Sequence, residues 1–412
     1  MEGNVIDFLM KRGFIDATTS EELRDKVRHP MKVYIGFDPT ADSLHLGSLV
    51  GIVALSWFER FGHTPVVILG GATGRIGDPS GKSLERPLLA DKTIESNVSS
   101  IRRHFEDLLE NPVILNNNDW LSKISFVDFL RDVGKQFRLG IMLAKESVKT
   151  RLASEEGMSY TEFSYQILQS YDFYHLFKED NVILQMGGSD QWGNITAGIE
   201  YVRKISGHSV YGATFPLVTR SDGKKFGKSE EGAIWLSPDR CSPYEFYQYL
   251  IRVADTDVIR LMKMLTFMDL IEISSIEKQM KDHPNIAQKR FAAEVTKFVH
   301  GQEGLEAALK ATEGSQSELT VEVLEKIAGD MPSISLKHSD VIDQKYIDLV
   351  VRIGLLPSKG EALRLMSNGG SYLNNEKIED PQFRLEQSHM IGSKFLLIGA
   401  GKKKKMLIIL EN

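Results

Sequence analysis

The sequence predicts an α/β domain with a mostly parallel, Rossmann-like sheet, followed by an all-helical domain and a small α+β domain. From Lys32 to about Leu236, short β-rich runs alternate with longer helical stretches, which is typical of a parallel sheet with helical connections. A strong helix start at Ser242 opens a long helix-favouring region. Helices, glycine turns and short strands alternate in the last part. We expect domains over residues 1–236, 237–330 and 345–412, with a linker over residues 331–344.

Each predicted element depends on a local pattern. Four β-rich runs form the expected sheet: KVYIGF from Lys32, PVVILGG from Pro65, PVILN from Pro112 and NVILQMGG from Asn181. The stretch Ser242-Pro243-Tyr244-Glu245 supplies an N-cap, a proline at the first helical position and a capping-box glutamate. Helix-favouring sequence continues to about Ala311, and a short helix follows near Val321 to Ala328. From Lys345 the chain predicts two helices, a short strand and a hairpin turn at Asn374-Asn375.

Composition and charge limit the classes of protein that fit. The longest apolar runs are far shorter than the roughly 20 residues that span a bilayer, and the N-terminus lacks the pattern of a secretion signal. A single cysteine, Cys241, excludes an intramolecular disulfide. We therefore expect a soluble, cytoplasmic protein. The net charge of −6 hides a basic end, because residues 345–412 contain 11 Lys and Arg against 7 Asp and Glu.

The stretch YIGFDPTADSLHLGS, from Tyr34 to Ser48, combines a strand, a polar turn and a predicted helix start near His45. The two-residue period of the strand places Tyr34, Gly36 and Asp38 on one face, opposite an apolar face. Gly36 would let a flat ring approach the backbone, and the first turn of the helix would offer N–H groups to phosphate. From this pattern alone, a capped helix with an incidental histidine remains an alternative.

A lysine-rich loop, KFGKS from Lys225 to Ser229, indicates together with the first stretch a site for a nucleotide. Gly223 and Gly227 would give this loop its freedom, and its lysines suit phosphate. The chain has no GxxxxGK[ST] run, so a nucleotide site here would not be of the Walker type. A solvated turn is the alternative.

Together the two stretches resemble a known family. HLGS, preceded by GFDPTADSL, resembles the HIGH signature of class I aminoacyl-tRNA synthetases, and KFGKS resembles their KMSKS loop. The surrounding sequence is similar to the bacterial and organellar tyrosyl-tRNA synthetase family over nearly the whole chain. Further similar segments are GGATGRIGDPSGKS from Gly70, FLRDVGK from Phe129, FSYQILQSYDF from Phe163 and GGSDQWGNITAG from Gly187. Ser48 departs from the histidine that usually ends the first signature.

The resemblance implies that the chain condenses tyrosine with ATP to tyrosyl-adenylate and pyrophosphate, and then transfers the tyrosyl group to the terminal ribose of tRNA(Tyr). The implied catalytic residues are Thr40, His45, Lys82, Arg86, Lys225 and Lys228. The implied ATP contacts are Gly36, Asp38, His45, Gly47, Ser48, Asp190, Gln191, Lys228 and Ser229. Mg²⁺ is expected to arrive with ATP, without a dedicated protein site.

Tyr165, Gln169 and Asp172 are spaced i, i+4 and i+7 and therefore share one face of a predicted helix. Such a face is either exposed or lines a pocket, and the spacing alone leaves both open. The resemblance implies a tyrosine pocket in which Tyr34 and Asp172 bind the phenol. It places Asp78, Tyr165 and Gln169 around the ammonium group, and Gln185 near the carboxylate.

The resemblance also extends to RNA. The segment from Lys345 is similar to the alpha-L RNA-binding motif. Basic residues on both parts of the chain are expected to contact tRNA: Lys145, Lys149, Arg203, Lys204, Lys359, Arg364, Lys402 and Lys403. The alternative is that these side chains are ordinary solvated surface charges. A homodimer is implied, with Phe129 to Gly134 at its interface, and neither a membrane nor DNA is expected as a partner. Two rival functions remain open, a tryptophan-specific relative and an RNA-binding protein without synthetase activity.

Overall fold

The computed structural model describes residues 3–82, 85, 87–229, 232–314, 319–401 and 404–411. Its helices are α1 Val5–Lys11, α2 Leu23–Lys26, α3 Leu49–Arg60, α4 Asp91–Leu108, α5 Asn118–Leu121, α6 Phe126–Asp128, α7 Leu139–Leu143, α8 Glu146–Leu152, α9 Tyr160–Asp180, α10 Trp192–Ser206, α11 Pro243–Leu250, α12 Asp255–Leu265, α13 Leu270–Gln279, α14 Ile286–Gly314, α15 Val321–Ile327, α16 Tyr346–Arg352 and α17 Lys359–Ser367.

The described strands are β1 Ala17–Thr18, β2 Lys32–Phe37, β3 Thr64–Leu69, β4 Val113–Asn116, β5 Val182–Gly188, β6 Tyr211–Phe215, β7 Lys228–Ser229, β8 Gly232–Ala233, β9 Ser333–Lys337, β10 Ser371–Leu373, β11 Glu376–Lys377, β12 Phe395–Ala400 and β13 Lys404–Glu411. The chain divides into a first unit, Met1–Ser237 with Ala254–Ala287, and a second unit, Pro238–Val253 with Gln288–Asn412. None of the described helices is long and apolar enough to cross a membrane.

A six-stranded sheet in the order β1-β6-β5-β2-β3-β4 organises the first unit. All neighbouring strands run parallel except β1 and β6, which confirms the predicted α/β fold with a mostly parallel sheet. The strand order reverses at β2, since β3 and β4 follow on one side and β5 and β6 on the other. Open parallel sheets bind ligands beyond the carboxyl ends of their strands at such a point, which here is the end of β2 and β5.

Two strands of this sheet were not expected from the sequence. The strand β6 is short and contains Gly212, which weakens the strand pattern. The glycine is needed for packing, because a Cβ at this position would lie 2.4 Å from Cγ2 of Ile195 on α10. Strand β1 has only two residues and pairs with β6 far away in sequence. A strand this short is stabilised by its pairing with a distant segment, and its own sequence shows no clear strand pattern.

The second unit contains helices and a five-stranded sheet. The predicted capping box at the start of α11 is confirmed, with the side chains of Ser242 and Glu245 each bonded to the other's backbone. The helix α14 is interrupted at Gly301, whose φ of 72° is left-handed. The all-helical region and the α+β end of the chain are thus both present, as predicted.

The sheet of the second unit has the order β11-β10-β12-β13-β9, and α16 and α17 contribute to its apolar core. The expected hairpin turn is present, since Asn374 and Asn375 have φ values of 50° and 70° between β10 and β11. We expected a linker over residues 331–344, but the structure places β9 there, parallel to β13. Its apolar residues Ile334 and Leu336 pack on the core. The other domain boundaries stay a prediction.

Candidate active site

A cavity of about 310 Å³ lies at the carboxyl ends of β2 and β5 in the first unit. Fifteen of the predicted site residues line it: Tyr34, Gly36, Asp38, Thr40, His45, Gly47, Ser48, Asp78, Lys82, Tyr165, Gln169, Asp172, Gln185, Asp190 and Gln191. Lys225 and Lys228 are not among the described residues that line the cavity. Arg86 and the side chain of Ser229 lie outside the described residues.

One end of the cavity is built around the carboxylate of Asp172, which is 4% exposed. The side-chain amide of Asn117 donates to Oδ2 of Asp172 at 3.0 Å, and Nε1 of Trp120 donates to Oδ1 at 2.7 Å. The hydroxyl of Tyr34 is buried there and has no hydrogen-bond partner among the described residues. A buried hydroxyl without a partner is costly, so this end of the cavity suits a ligand with a polar group.

Asn117 and Trp120 were missed by the sequence analysis. Both follow directly after β4, at the same edge of the sheet where Asp38 follows β2. Polar residues at the carboxyl end of a parallel strand were the available signal. Their contact with Asp172 could not be read from the sequence, because it joins the end of β4 to the middle of α9.

Burial raises the pKa of Asp172 to about 7, a shift opposed by the hydrogen bonds from Asn117 and Trp120 and increased by nearby Asp38. Burial also raises the pKa of the Tyr34 hydroxyl, and the charge of Asp172 adds to that effect. The Tyr34 hydroxyl is therefore neutral near pH 7, and Asp172 loses its proton only as the pH rises through about 7 while the site has no ligand. Burial in this pocket thus makes ionisation of the Asp172 carboxyl less favourable than in water.

The Asp172→Asn variant should remove a pH dependence from the stability of the ligand-free protein. The pKa of Asp172 is about 7 in the folded protein against an ordinary value of 3.8, so folding favours the protonated carboxyl. This stabilisation is complete below about pH 4 and is lost as the pH rises through about 7. We expect the urea midpoint of the wild type to fall between these pH values relative to that of the variant. Parallel curves would contradict the assignment.

A second polar network surrounds Asp78, which also lines the cavity. Nε2 of Gln191 donates to Oδ2 of Asp78 at 2.6 Å, and the backbone N–H of Ser80 donates to Oδ1 at 2.9 Å. Nδ2 of Asn194 lies 3.0 Å from Oε1 of Gln169 and 3.4 Å from Oδ1 of Asp78. The structure thus brings Asp78, Gln169 and Gln191 together, and it adds Asn194, which the sequence analysis missed.

Tyr165 shares this region but bonds to a different carboxylate. Its hydroxyl donates to Oδ2 of Asp38 at 2.8 Å, and the hydroxyl of Thr73 donates to Oδ1 of the same residue at 2.8 Å. Burial, together with the charges of Asp38 and Asp78, raises the pKa of the Tyr165 hydroxyl well above its ordinary value. Tyr165 is therefore a hydrogen-bond donor between two carboxylates, and Thr73 is a further residue that the sequence did not reveal.

The two signature stretches meet at a third side of the cavity. The backbone N–H of Leu46 donates to the carbonyl of Ile234 at 2.8 Å, and that of Ile234 donates to the carbonyl of Gly227 at 2.9 Å. His45 pairs with Trp235 in an antiparallel bridge. Gly227 has φ 82°, and a Cβ there would lie 3.0 Å from Cβ of Leu46. HLGS and KFGKS are thus joined through residues 234–236, and the contact needs glycine.

The helix expected to begin near His45 begins at Leu49 instead. The reason is the bridge to Trp235, which holds His45 in extended backbone outside the helix. Ser48 is the last residue before α3, and its side chain does not cap the helix. His45 and Ser48 line the cavity from the segment that precedes α3, so the prediction of the helix start was wrong, while the roles predicted for the two side chains stay predictions.

Charges from two loops converge on Asp190. Burial and the charge of Asp78 raise the pKa of its carboxyl, while Lys225 and Lys82 oppose this shift. The two lysines therefore act electrostatically on the same carboxylate, although they belong to loops far apart in sequence. A cavity edge with cations on two loops suits a phosphate chain.

The residues expected to contact tRNA lie in several environments. Lys145 precedes α8, and its ammonium group donates to the carbonyl of Gly193, while burial lowers its pKa to about 8. Lys149 is exposed on α8. Arg203 and Lys204 close α10 and both pair with Glu200.

In the second unit, Lys359 pairs with Asp348 at 2.7 Å, and Arg364 is exposed on α17. Lys402 and Lys403 lie outside the described residues. The two described positions are both on the surface of helices, one of them already paired with a carboxylate. Their contact with RNA stays a prediction.

Comparison with known proteins agrees with this geometry. The family model of class I tRNA synthetases for tryptophan and tyrosine matches residues 26–315, and that of the tyrosine–tRNA ligase SYY-like C-terminal domain matches residues 323–408. A tyrosine–tRNA ligase from Protochlamydia amoebophila is 58% identical over 98% of this chain and 98% of its own length. The chain belongs to the tyrosyl-tRNA synthetase family.

Other members of the tyrosyl-tRNA synthetase family match along most of the chain. The chloroplastic and mitochondrial tyrosine–tRNA ligase of Arabidopsis thaliana is 51% identical, over 98% of this chain and 83% of its own length. The crystal structure of a C-terminally truncated mitochondrial tyrosyl-tRNA synthetase from Aspergillus nidulans has 31% identity and a TM-score of 0.68, covering 75% of this chain and 93% of that chain. The resemblance to the bacterial and organellar type of the family is confirmed.

Proposed function

We propose that this chain attaches L-tyrosine to tRNA(Tyr) in two steps, through a tyrosyl-adenylate. The observation that carries the proposal is the buried pair of Tyr34 and Asp172 in the cavity that His45 and Lys82 also line. A site that reads a phenol and a site for phosphates are therefore parts of one cavity. The expectation of a cytoplasmic location comes from sequence patterns, and we retain it as part of this proposal.

The phenol of tyrosine suits the hydrogen-bonding groups at the Asp172 end of the cavity. The phenol hydroxyl would donate a hydrogen bond to the carboxylate of Asp172 and accept one from the Tyr34 hydroxyl, which has no partner among the described residues. Satisfying a buried donor in this way favours binding of the correct ligand. The ammonium group would lie by the carboxylate of Asp78, with Tyr165 and Gln169 beside it, and Gln185 and Gln191 near the substrate carboxylate.

Adenylate formation needs positioning and charge stabilisation more than covalent help from the protein. A carboxylate oxygen of tyrosine attacks the α-phosphorus of ATP, and the bond to the bridging oxygen breaks so that pyrophosphate leaves with the electron pair. Donors aimed at the charge that develops lower this barrier. Thr40 and His45 would contact the phosphates, with Gly36, Asp38, Gly47, Ser48 and Asp190 around the nucleoside.

Cations would hold the departing pyrophosphate. Arg86 follows Lys82 closely in the sequence, and Lys225, Lys228 and Ser229 belong to the KFGKS stretch. Closure of both loops would surround the phosphates during the reaction. The described residues contain no group of three or more His, Cys, Asp or Glu that could hold a metal ion. Mg²⁺ would enter as the complex of ATP, because it prefers phosphate oxygens.

In the second step, a terminal ribose hydroxyl of the tRNA attacks the carbonyl carbon of the adenylate, and AMP leaves. Exposed basic side chains suit the phosphate backbone of the tRNA. We assign this role to Lys145, Lys149, Arg203, Lys204, Lys359, Arg364, Lys402 and Lys403. The ammonium group of Lys145 already donates to the carbonyl of Gly193, so Lys145 would contact phosphate through its remaining N–H groups.

Amino-acid-dependent exchange of pyrophosphate into ATP tests the proposal against its rivals. The experiment compares tyrosine, tryptophan and phenylalanine at equal concentrations with the full chain. Exchange that depends on tyrosine supports the proposal, and exchange with tryptophan alone would identify the tryptophan-specific relative. Absence of exchange with all three, together with RNA binding, would favour an RNA-binding protein without synthetase activity.

We also propose a homodimer, with Phe129 to Gly134 at the interface. The neighbouring surface supports it, because Phe126 and Ile141 are 67% and 63% exposed. Large apolar side chains rarely cluster on a surface without a partner. Ile141→Glu should raise the dimer dissociation constant by about 10- to 100-fold, because a charged side chain is costly to bury beside the proposed interface. Sedimentation velocity measures this, with Ile271→Glu on α13 as the control, since Ile271 is 82% exposed. A monomeric wild type, or a dimeric Ile141→Glu variant, would contradict the proposal.

A further inference from the structure

The loop that carries Lys225 begins as a tight hairpin. The backbone N–H of Phe226 donates to the carbonyl of Val218 at 3.0 Å, and that of Arg220 donates to the carbonyl of Lys224 at 2.8 Å. Lys225 pairs with Thr219 in an antiparallel bridge between these two bonds. The position of the Lys225 backbone therefore depends on the strand that contains Thr219.

The turn of this hairpin is held from outside by Asp257, in the first turn of α12. The backbone N–H and the hydroxyl of Ser221 both donate to Oδ2 of Asp257, at 2.9 and 3.1 Å. Asp257 is 4% exposed and Ser221 is exposed, so these bonds are partly sheltered from water. The guanidinium of Arg260 donates to Oδ1 of Asp257 at 3.3 Å and also to the carbonyl of Thr219. The turn and the strand opposite Lys225 are thus both bonded to one helix.

The helix α12 is itself fixed at its other end. Arg12 is 1% exposed, and its guanidinium donates to the backbone carbonyls of Lys263, Thr266 and Met268 at 2.8, 2.7 and 2.8 Å. These bonds satisfy carbonyl groups at the C-terminal end of the helix, which would otherwise lack partners. The helix also packs on α3, which begins directly after the HLGS stretch. Asp257 therefore projects from a firmly held element.

We propose that Asp257 is a positioning residue for the lysine loop, which holds the hairpin so that Lys225 enters the site where the pyrophosphate departs. This inference rests on the proposed function, in which Lys225 contacts the pyrophosphate. Asp257 itself would touch neither substrate. Charge-assisted hydrogen bonds are among the stronger ones in proteins, so their loss would release the hairpin to many other positions.

The Asp257→Ala variant should lower kcat for tyrosine-dependent pyrophosphate exchange by about tenfold to 100-fold, which corresponds to the loss of hydrogen bonds to a charged group. It should also raise KM for pyrophosphate, because the cations are no longer presented together. The tyrosine dissociation constant should not change, since the phenol pocket lies on other elements. Asp255→Ala is the matched control: Asp255 is an exposed carboxylate in the same turn of α12, so both variants lose equal charge from the start of the helix.

A second variant, Ser221→Ala, guards against misfolding of the first. It removes the hydroxyl bond to Asp257 and the bond that the same hydroxyl accepts from Thr256, and it leaves the backbone bond to Asp257. We therefore expect a loss of less than about tenfold in kcat and a rise in KM for pyrophosphate. All rates are expressed per active site by titration of adenylate formed. If Ser221→Ala and Asp257→Ala both exchange pyrophosphate like Asp255→Ala, the inference is wrong.

Four results separate this inference from other effects. A lower melting temperature with unchanged kcat and KM per active site would show a merely structural role and overturn the inference. Wild-type protein without tyrosine-dependent exchange would overturn the proposed function and with it this inference. Wild-type exchange with a pyrophosphate-specific defect in Asp257→Ala supports both. An increase in the tyrosine dissociation constant equal to the loss of kcat would count against a role confined to the lysine loop.

Discussion

Replacing His45 with alanine should slow formation of the tyrosyl-adenylate by about 10²- to 10³-fold, the usual effect of removing one donor to a developing charge. The tyrosine dissociation constant should remain within about threefold, because such a donor acts mainly in the transition state. His45 lines the phosphate side of the cavity from an extended segment bridged to Trp235, so its backbone is fixed without its side chain. Stopped-flow or quenched-flow measurement of adenylate formation gives the rate, and equilibrium dialysis gives the affinity.

Two further variants sharpen the test of His45. His45→Gln keeps an N–H donor of shorter reach and should recover part of the lost rate. His29→Ala changes an exposed histidine of the same unit and should have no effect. Equal losses of rate and of tyrosine affinity in His45→Ala would show that the histidine supports the pocket as a whole, and the transition-state role would then be wrong.

The Asp172→Ala variant should lose the preference for tyrosine over phenylalanine. In the wild type, phenylalanine would leave the Tyr34 hydroxyl and the Asp172 carboxylate without the partner that the phenol supplies. Tyrosyl-tRNA synthetases are themselves the reference case for such discrimination, at about 10⁵-fold, so that magnitude is known for the family and is not a result of this structure. We expect the ratio of kcat/KM values to fall by at least about 10²-fold, because unsatisfied buried charge is more costly than an unsatisfied neutral group.

The comparison needs variants that separate the two members of the pair. Tyr34→Phe removes one hydroxyl and leaves the carboxylate with Asn117 and Trp120, so its loss of discrimination should be smaller than that of Asp172→Ala. Glu179→Ala removes an exposed carboxylate from the same helix, α9, and is the control. Undiminished rejection of phenylalanine by Asp172→Ala would mean that other residues read the phenol.

The sequence predicted those parts of the site that lie within single elements. The alternation along β2 predicted one shared face for Tyr34, Gly36 and Asp38, and the spacing along α9 predicted one for Tyr165, Gln169 and Asp172. All six residues line the cavity. Both patterns are periodic, and periodicity depends only on local geometry.

Contacts between elements could not be predicted in this way. Asn117 and Trp120 reach Asp172 only because β4 and α9 meet in the fold, and their place after a strand does not show which residue they contact. The start of α3 was predicted too early because the bridge between His45 and Trp235 competes with helix formation. Strand β9 was missed because it forms by pairing with β13, which lies far away in the sequence. In each instance, a partner far away in sequence decides the conformation.

The bonds that join Leu46, Ile234 and Gly227 have a consequence for biosynthesis. The parallel core strands β2, β3 and β4 are translated early, but the HLGS stretch obtains its partners only when residues 227–236 have left the ribosome. A nascent chain that ends before Gly227 would hold the pocket residues of β2 beside an open edge with unpaired backbone groups. Such edges invite aggregation during slow, non-local folding. The HLGS stretch therefore cannot complete its backbone hydrogen bonds during synthesis until residues 227–236 are available.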